Sequence, residues 1–98
     1  AGAPEGAFPM AFGSFGARGA TLLEPMTGVL QAGRSYRFRL RVPGAQDVAA
    51  RAGQQWTHFT RAGEEWVADV AVGPGDLMVM AKYDGQTSFT GLLKYTGR

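Results

Sequence analysis

The chain has 98 residues, no cysteine, a formal net charge of +2 and a sequence pI of about 9.4. The missing cysteine excludes disulfides, thiolate metal sites and cysteine nucleophiles, the missing asparagine excludes N-glycosylation, and the mild basicity lacks the concentrated charge of a dedicated nucleic-acid binder. One domain with its own core is expected at this length, as is a soluble chain with no membrane span: the longest apolar stretches, such as residues 77–81, are about a quarter of the ~20 residues a spanning helix needs.

Residues 1–7 are small and glycine-rich around Pro4 and read as a flexible lead-in, leaving residues 8–98 as a single domain. Phe8, Met10 and Phe12 alternate across Pro9, which suits a short edge strand because proline has no N–H for a ladder. The same residues with Phe15 would line one face of a helix, but Pro9, Gly13 and Gly16 argue against it at about 1 to 3 kcal/mol each. Residues 20–24 form a short apolar run ended by Pro25, and residues 28–33 a turn-rich connection. Residues 36–42 read Tyr-Arg-Phe-Arg-Leu-Arg-Val, a strict alternation that puts Tyr36, Phe38, Leu40 and Val42 on one face and Arg37, Arg39 and Arg41 on the other. Only a half-buried strand satisfies that period of two, and it stops at Pro43-Gly44.

Residues 47–52 read as a small-residue strand. Residues 54–59 and 64–72 read as a hairpin about Arg61-Ala62-Gly63, in a register that sets Phe59 opposite Trp66 so that both large rings are buried. Gly73-Pro74-Gly75 breaks the chain, and residues 77–83 and 87–95 form a second hairpin joined at Asp84-Gly85. Seven or eight short strands at roughly 8 to 12-residue spacing, with no ten-residue helical pattern, give an all-β, antiparallel immunoglobulin-like β-sandwich. Its expected inward residues are Tyr36, Phe38, Leu40, Val42, Trp66, Val70, Leu77, Val79, Phe89 and Leu92.

A set of core and turn positions supports the same class: Phe38, Pro43-Gly44-Ala45, Val48, Gln55-Trp56, Gly63, Trp66, Gly75, Ala81-Lys82-Tyr83-Asp84-Gly85 and Leu92-Leu93-Lys94-Tyr95. Their spacing over about residues 20–96 resembles the immunoglobulin-like β-sandwich that accompanies transglutaminase-like domains in kyphoscoliosis-peptidase-type proteins. The resemblance implies a non-catalytic appendage. The cysteine of the transglutaminase-like triad has no counterpart here, so that activity does not carry over.

No catalytic constellation is visible. His58 is the one histidine, and without cysteine it needs three converging carboxylates to make a zinc site. Ser14, Ser35 and Ser88 are candidates for a serine triad, yet none sits in a Gly-x-Ser-x-Gly elbow. Asp47, Asp76 and Asp84 fall at turns, where a carboxylate bonds nearby backbone or, in a cluster, calcium. The glycines at 13, 16 and 19 do not make a phosphate loop.

Two groups remain as a candidate binding surface. Alternation against Phe59 turns Trp56 to the opposite face, toward solvent or a partner unless a bulge reverses it, but the preferred reading is that the sandwich buries it, as immunoglobulin-like cores commonly bury a tryptophan; His58 shares its face. The Arg37, Arg39, Arg41 stripe is either a solvated face with Glu65 and Asp69 as cross-strand partners or a track for an anionic surface. The expected function is that of a non-catalytic accessory or protein-interaction domain with no enzyme activity and no cofactor. The expected partner is another protein or a neighbouring domain. A carbohydrate-binding module using an exposed aromatic is the alternative, with an anion or nucleic-acid binder behind it. The compartment stays open.

Overall fold

The computed structural model describes residues 7–98, so the expected lead-in lies outside the described residues except for Ala7, whose carbonyl accepts a hydrogen bond from the Gly28 N–H. Two sheets pack face to face. The larger runs β1 (Met10–Ala11), β10 (Thr90–Gly97), β9 (Gly75–Tyr83), β5 (Ala45–Ala52) and β6 (Gln55–His58), with β3 (Val29–Leu30) also on the outer side of β10. The smaller runs β2 (Thr21–Glu24), β4 (Ser35–Arg41), β8 (Glu65–Ala71) and β7 (Thr60–Ala62). Every pairing is antiparallel except that of β3 with β10. In chain order the smaller sheet is the A-B-E-D layer of an immunoglobulin-like sandwich and β10-β9-β5-β6 its G-F-C-C′ layer. The fold class is therefore the one the strand pattern predicts, with ten strands among the described residues instead of seven or eight because β1, β3 and β7 are only two or three residues long.

The β4 alternation builds the core as expected. Phe38 and Leu40 are fully buried between the sheets, Tyr36 is half-buried against them, and the three arginines face out. Phe38 meets Tyr95 of the opposite sheet edge to face at 5.0 Å and Phe59 at 6.2 Å, so one aromatic cluster ties both layers together. The small residues of β5 have a purpose that sequence reading missed: Val48, Ala49 and Ala50 are buried because β5 is an inner strand between β9 and β6.

Three local expectations are corrected. The first is the hairpin of residues 54–59 with 64–72. β6 turns back on β5, Ala52 pairing with Gln55, and the chain then crosses to the other sheet at Phe59 before β7 pairs with β8. Arg61, not Phe59, lies opposite Trp66. Both tight connections have a glycine first, Gly53 at φ +60° before Gln54 and Gly63 at φ +64° before Glu64, and among the described residues no residue other than glycine has positive φ, which is the type II′ hairpin pattern. Two good two-residue turns so close together leave no room for the single long hairpin. The second concerns Gly13–Ala17, which forms one turn of helix, α1, between β1 and β2 despite its glycines, with Phe15 packed on the core. At five residues, tertiary packing outweighs a propensity penalty that would stop a longer helix. The third concerns Phe89, expected inside. It lies in the 84–89 connection, partly exposed on the outer face of the larger sheet, because that connection is six residues long and not a two-residue turn at Asp84-Gly85.

Candidate functional site

The outer face of β6, β5 and β9 carries an aromatic cluster. Trp56 and His58 are two residues apart on β6 and so share a face, with their rings stacked at 18° and centroids 6.1 Å apart. Phe89 folds onto them from the 84–89 connection, its ring 5.1 Å from Trp56 at 53° and 6.2 Å from His58. Trp56 is 40% exposed, among the most exposed large apolar side chains of the described residues. Met78 and Met80 of β9, each half-buried, extend the apolar surface, since the β5 residues that register with them are Arg51 and Ala49.

Charge frames the cluster. The Asp47 carboxylate lies 3.0 Å from His58 Nδ1, and Lys94 and Asp76 approach to 3.9 Å at the far side. The Arg51 guanidinium sits 5.6 Å over the Trp56 ring and donates to the Gly53 carbonyl, while Lys82 Nζ lies 6.0 Å from the Phe89 ring. Such cation–π contacts at exposed sites are worth about 0.5 to 1 kcal/mol and hold the rings in place.

The arginine stripe lies on the opposite face of the molecule, so the two groups of candidate residues are not one site. Arg37 pairs with Asp69 directly across β8 at 3.2 Å. Arg39 bridges two strands, donating through Nε to Glu65 at 2.9 Å and through Nη1 to Glu24 of β2 at 3.0 Å. The hydrogen bonds that Arg39 donates to Glu65 and Glu24 push its pKa above the ordinary value, and the bond from Arg39 holds the Glu65 carboxyl below the usual carboxylate range. Glu24 was the partner that sequence reading overlooked; its register opposite Arg39 depends on an irregularity in β2 between Leu22 and Glu24. With three carboxylates paired to Arg37 and Arg39, and only Arg41 of the stripe making no ion pair among the described residues, this face offers little attraction to a polyanion.

No family model and no curated protein matches the chain. Its site chemistry therefore rests on geometry. Of the aspartates expected at turns only Asp84 is in a connection, Asp47 lying in β5 and Asp76 in β9, and the three are dispersed: Asp47 with His58, Asp76 with Lys94, Asp84 accepting from Gln46 Nε2 at 2.6 Å. No group of three or more potential metal ligands exists among the described residues. His58 has Asp47 as its hydrogen-bond partner and no serine hydroxyl. At the loop end of the sandwich, an open groove of about 990 Å³ is lined by Arg41, Arg61 and Lys82 but equally by Asp47, Glu64 and Asp84. Its charges cancel, and Arg61 is already stacked over Trp66 and bonded to the Gly63 carbonyl. The Trp56 cluster is a surface group in which three rings are held against one another.

Proposed function

We propose that this chain is a non-catalytic protein-interaction domain, an immunoglobulin-like accessory module of the kind that accompanies transglutaminase-like domains, and that it docks a protein or neighbouring domain on the outer face of β6, β5 and β9. One observation carries the reading: Trp56, His58 and Phe89 form a clustered patch, with Met78 and Met80 on the same sheet face, instead of a coplanar strip. Rigid aromatics and methionines with a charged rim suit a protein interface, in which a few such anchors supply most of the binding energy. A carbohydrate module would stack a sugar on a flat open ring, and Trp56 is tilted against Phe89 by 53°.

Oxidative footprinting of Trp56, Met78 and Met80, in this chain alone and in the full-length gene product, tests the reading. All three should be labelled several-fold less in the larger protein. Equal labelling in both removes the neighbouring domain as the occupant. Retention on polysaccharide that disappears in Trp56→Ala would transfer the surface to the sugar reading.

A further inference from the structure

The free edge of β6 lies beside the aromatic cluster, and the hydrogen-bond parity of the ladder determines what that edge presents. Phe59 N–H donates to the Val48 carbonyl at 2.8 Å, continuing the register in which His58 pairs with Ala49 and Thr57 with Ala50. In an antiparallel ladder, hydrogen-bonded and non-hydrogen-bonded pairs alternate. Thr57 with Ala50 and Gln55 with Ala52 are therefore the bonded pairs, as the two-residue turn at Gly53 and Gln54 also requires. Trp56 and His58 belong to the other parity. Their N–H and C=O groups point away from β5, out of the sheet, with like groups about 6.5 to 7 Å apart.

The other sheet edges are blunted. β1 and β3 have two residues each, β1 next to Pro9, β2 carries a register irregularity and runs into Pro25, and β7 has three residues with Arg61 at its centre. β6 has no proline, glycine, lysine, arginine or bulge. Edges without such devices are templates for an added strand.

We infer that β6 is a strand-addition site for an extended peptide carrying apolar side chains and a carboxylate at alternate positions. The inference rests on the docking reading above and names the partner's chemistry. An added antiparallel strand exchanges four main-chain hydrogen bonds with Trp56 and His58, and its residues opposite them share their face. Those side chains come down beside the two rings and Phe89. Charge complementarity selects the acid. The face's carboxylates Asp47 and Asp76 are already engaged by His58 and Lys94, whereas Arg51 and Lys82 make no ion pair among the described residues, Lys82 standing opposite Asp47 in register, and the Arg51 guanidinium lies over Trp56. A second copy of this chain fits less well, because β6 offers only four residues of edge and no carboxylate.

The test is residue-resolved amide hydrogen exchange of the chain with a probe peptide of about ten residues, with Tyr, Val and Glu at alternate positions and Thr between them. Saturating probe should slow exchange of the Trp56 and His58 amides about tenfold or more and leave Thr57, already bonded in the ladder, unchanged. Replacing each Glu of the probe with Lys should weaken binding about tenfold. A His58→Pro chain loses no ladder bond by this parity, so it should keep the parent's spectrum elsewhere and lose the response. Quenching of Trp56 fluorescence without protection of the two amides would overturn strand addition while leaving the docking face intact. Concentration-dependent protection without peptide would assign the edge to a second copy instead. No change in amides or fluorescence at millimolar probe would also overturn the inference, while the footprinting result would decide the docking reading separately.

Discussion

Phe38→Ala removes the ring that joins the two layers. Phe38 is 0% exposed, and its ring meets Tyr95 from the larger sheet at 5.0 Å and Phe59 at the crossover at 6.2 Å, both edge to face. Truncating a buried phenylalanine costs about 3 to 5 kcal/mol through lost transfer energy and the residual cavity, and two lost aromatic pairings place this case in the upper half of that range. A domain of this length has about 5 to 15 kcal/mol in total, and each kcal/mol shifts Tm by about 4 to 8 °C, so a fall of roughly 16 to 40 °C is expected. Calorimetry measures that fall. Urea titration should show a lower midpoint with an unchanged slope, because the surface exposed on unfolding barely alters. Phe38→Leu keeps most of the volume and should cost only about 1 to 2 kcal/mol. A Phe38→Ala protein within about 1 kcal/mol of the parent, or a Leu variant as damaged as the Ala one, would refute a core centred on this cluster.

Two further outcomes follow from polar groups. The Tyr83 hydroxyl is buried with no hydrogen-bond partner among the described residues, and burial pushes its pKa up, so Tyr83→Phe should gain about 1 kcal/mol; Tyr95→Phe, which breaks the 2.8 Å bond to the Pro25 carbonyl, should lose about as much in the same urea titration. A gain from both or from neither would mean that the two hydroxyls are not distinguished by their partners. Glu65 is depressed in the folded state chiefly by the hydrogen bond from Arg39, so its contribution to stability is complete above the ordinary carboxylate range and is lost as pH falls through the folded value. The parent should therefore lose more stability than Glu65→Gln between about pH 6 and pH 3, and parallel losses would remove Glu65 from the linkage.

Local periodicity determined a great deal here. Residues 36–42 can satisfy their apolar and charged side chains only as a strand with Arg37, Arg39 and Arg41 outward, whatever the rest of the chain does, and the structure has them so. The all-β class follows from many such short segments between glycines and prolines. Alternation also predicts that Trp56 and Phe59 face apart, and Trp56 is exposed while Phe59 is buried, which overturns the preferred expectation that the sandwich hides Trp56. The assumed cause was a hairpin with β8, however, and the actual one is a change of sheet at Phe59.

Only the tertiary structure decided which strand each segment pairs with. A period of two states which residues share a face but carries no information on the neighbour across the ladder, and Gly53 and Gly63 are both competent turns. Burial of β5 between β9 and β6 selected the first as the turn of β6, and with it the outward parity of the Trp56 and His58 backbone. Phe89 joined that surface because the connection leading to it is long enough to fold over the sheet edge, and an apolar residue in a loop has no periodicity to announce its face. The candidate site is thus assembled from a turn choice, a sheet crossing and a loop path, each set by contacts far apart in the chain.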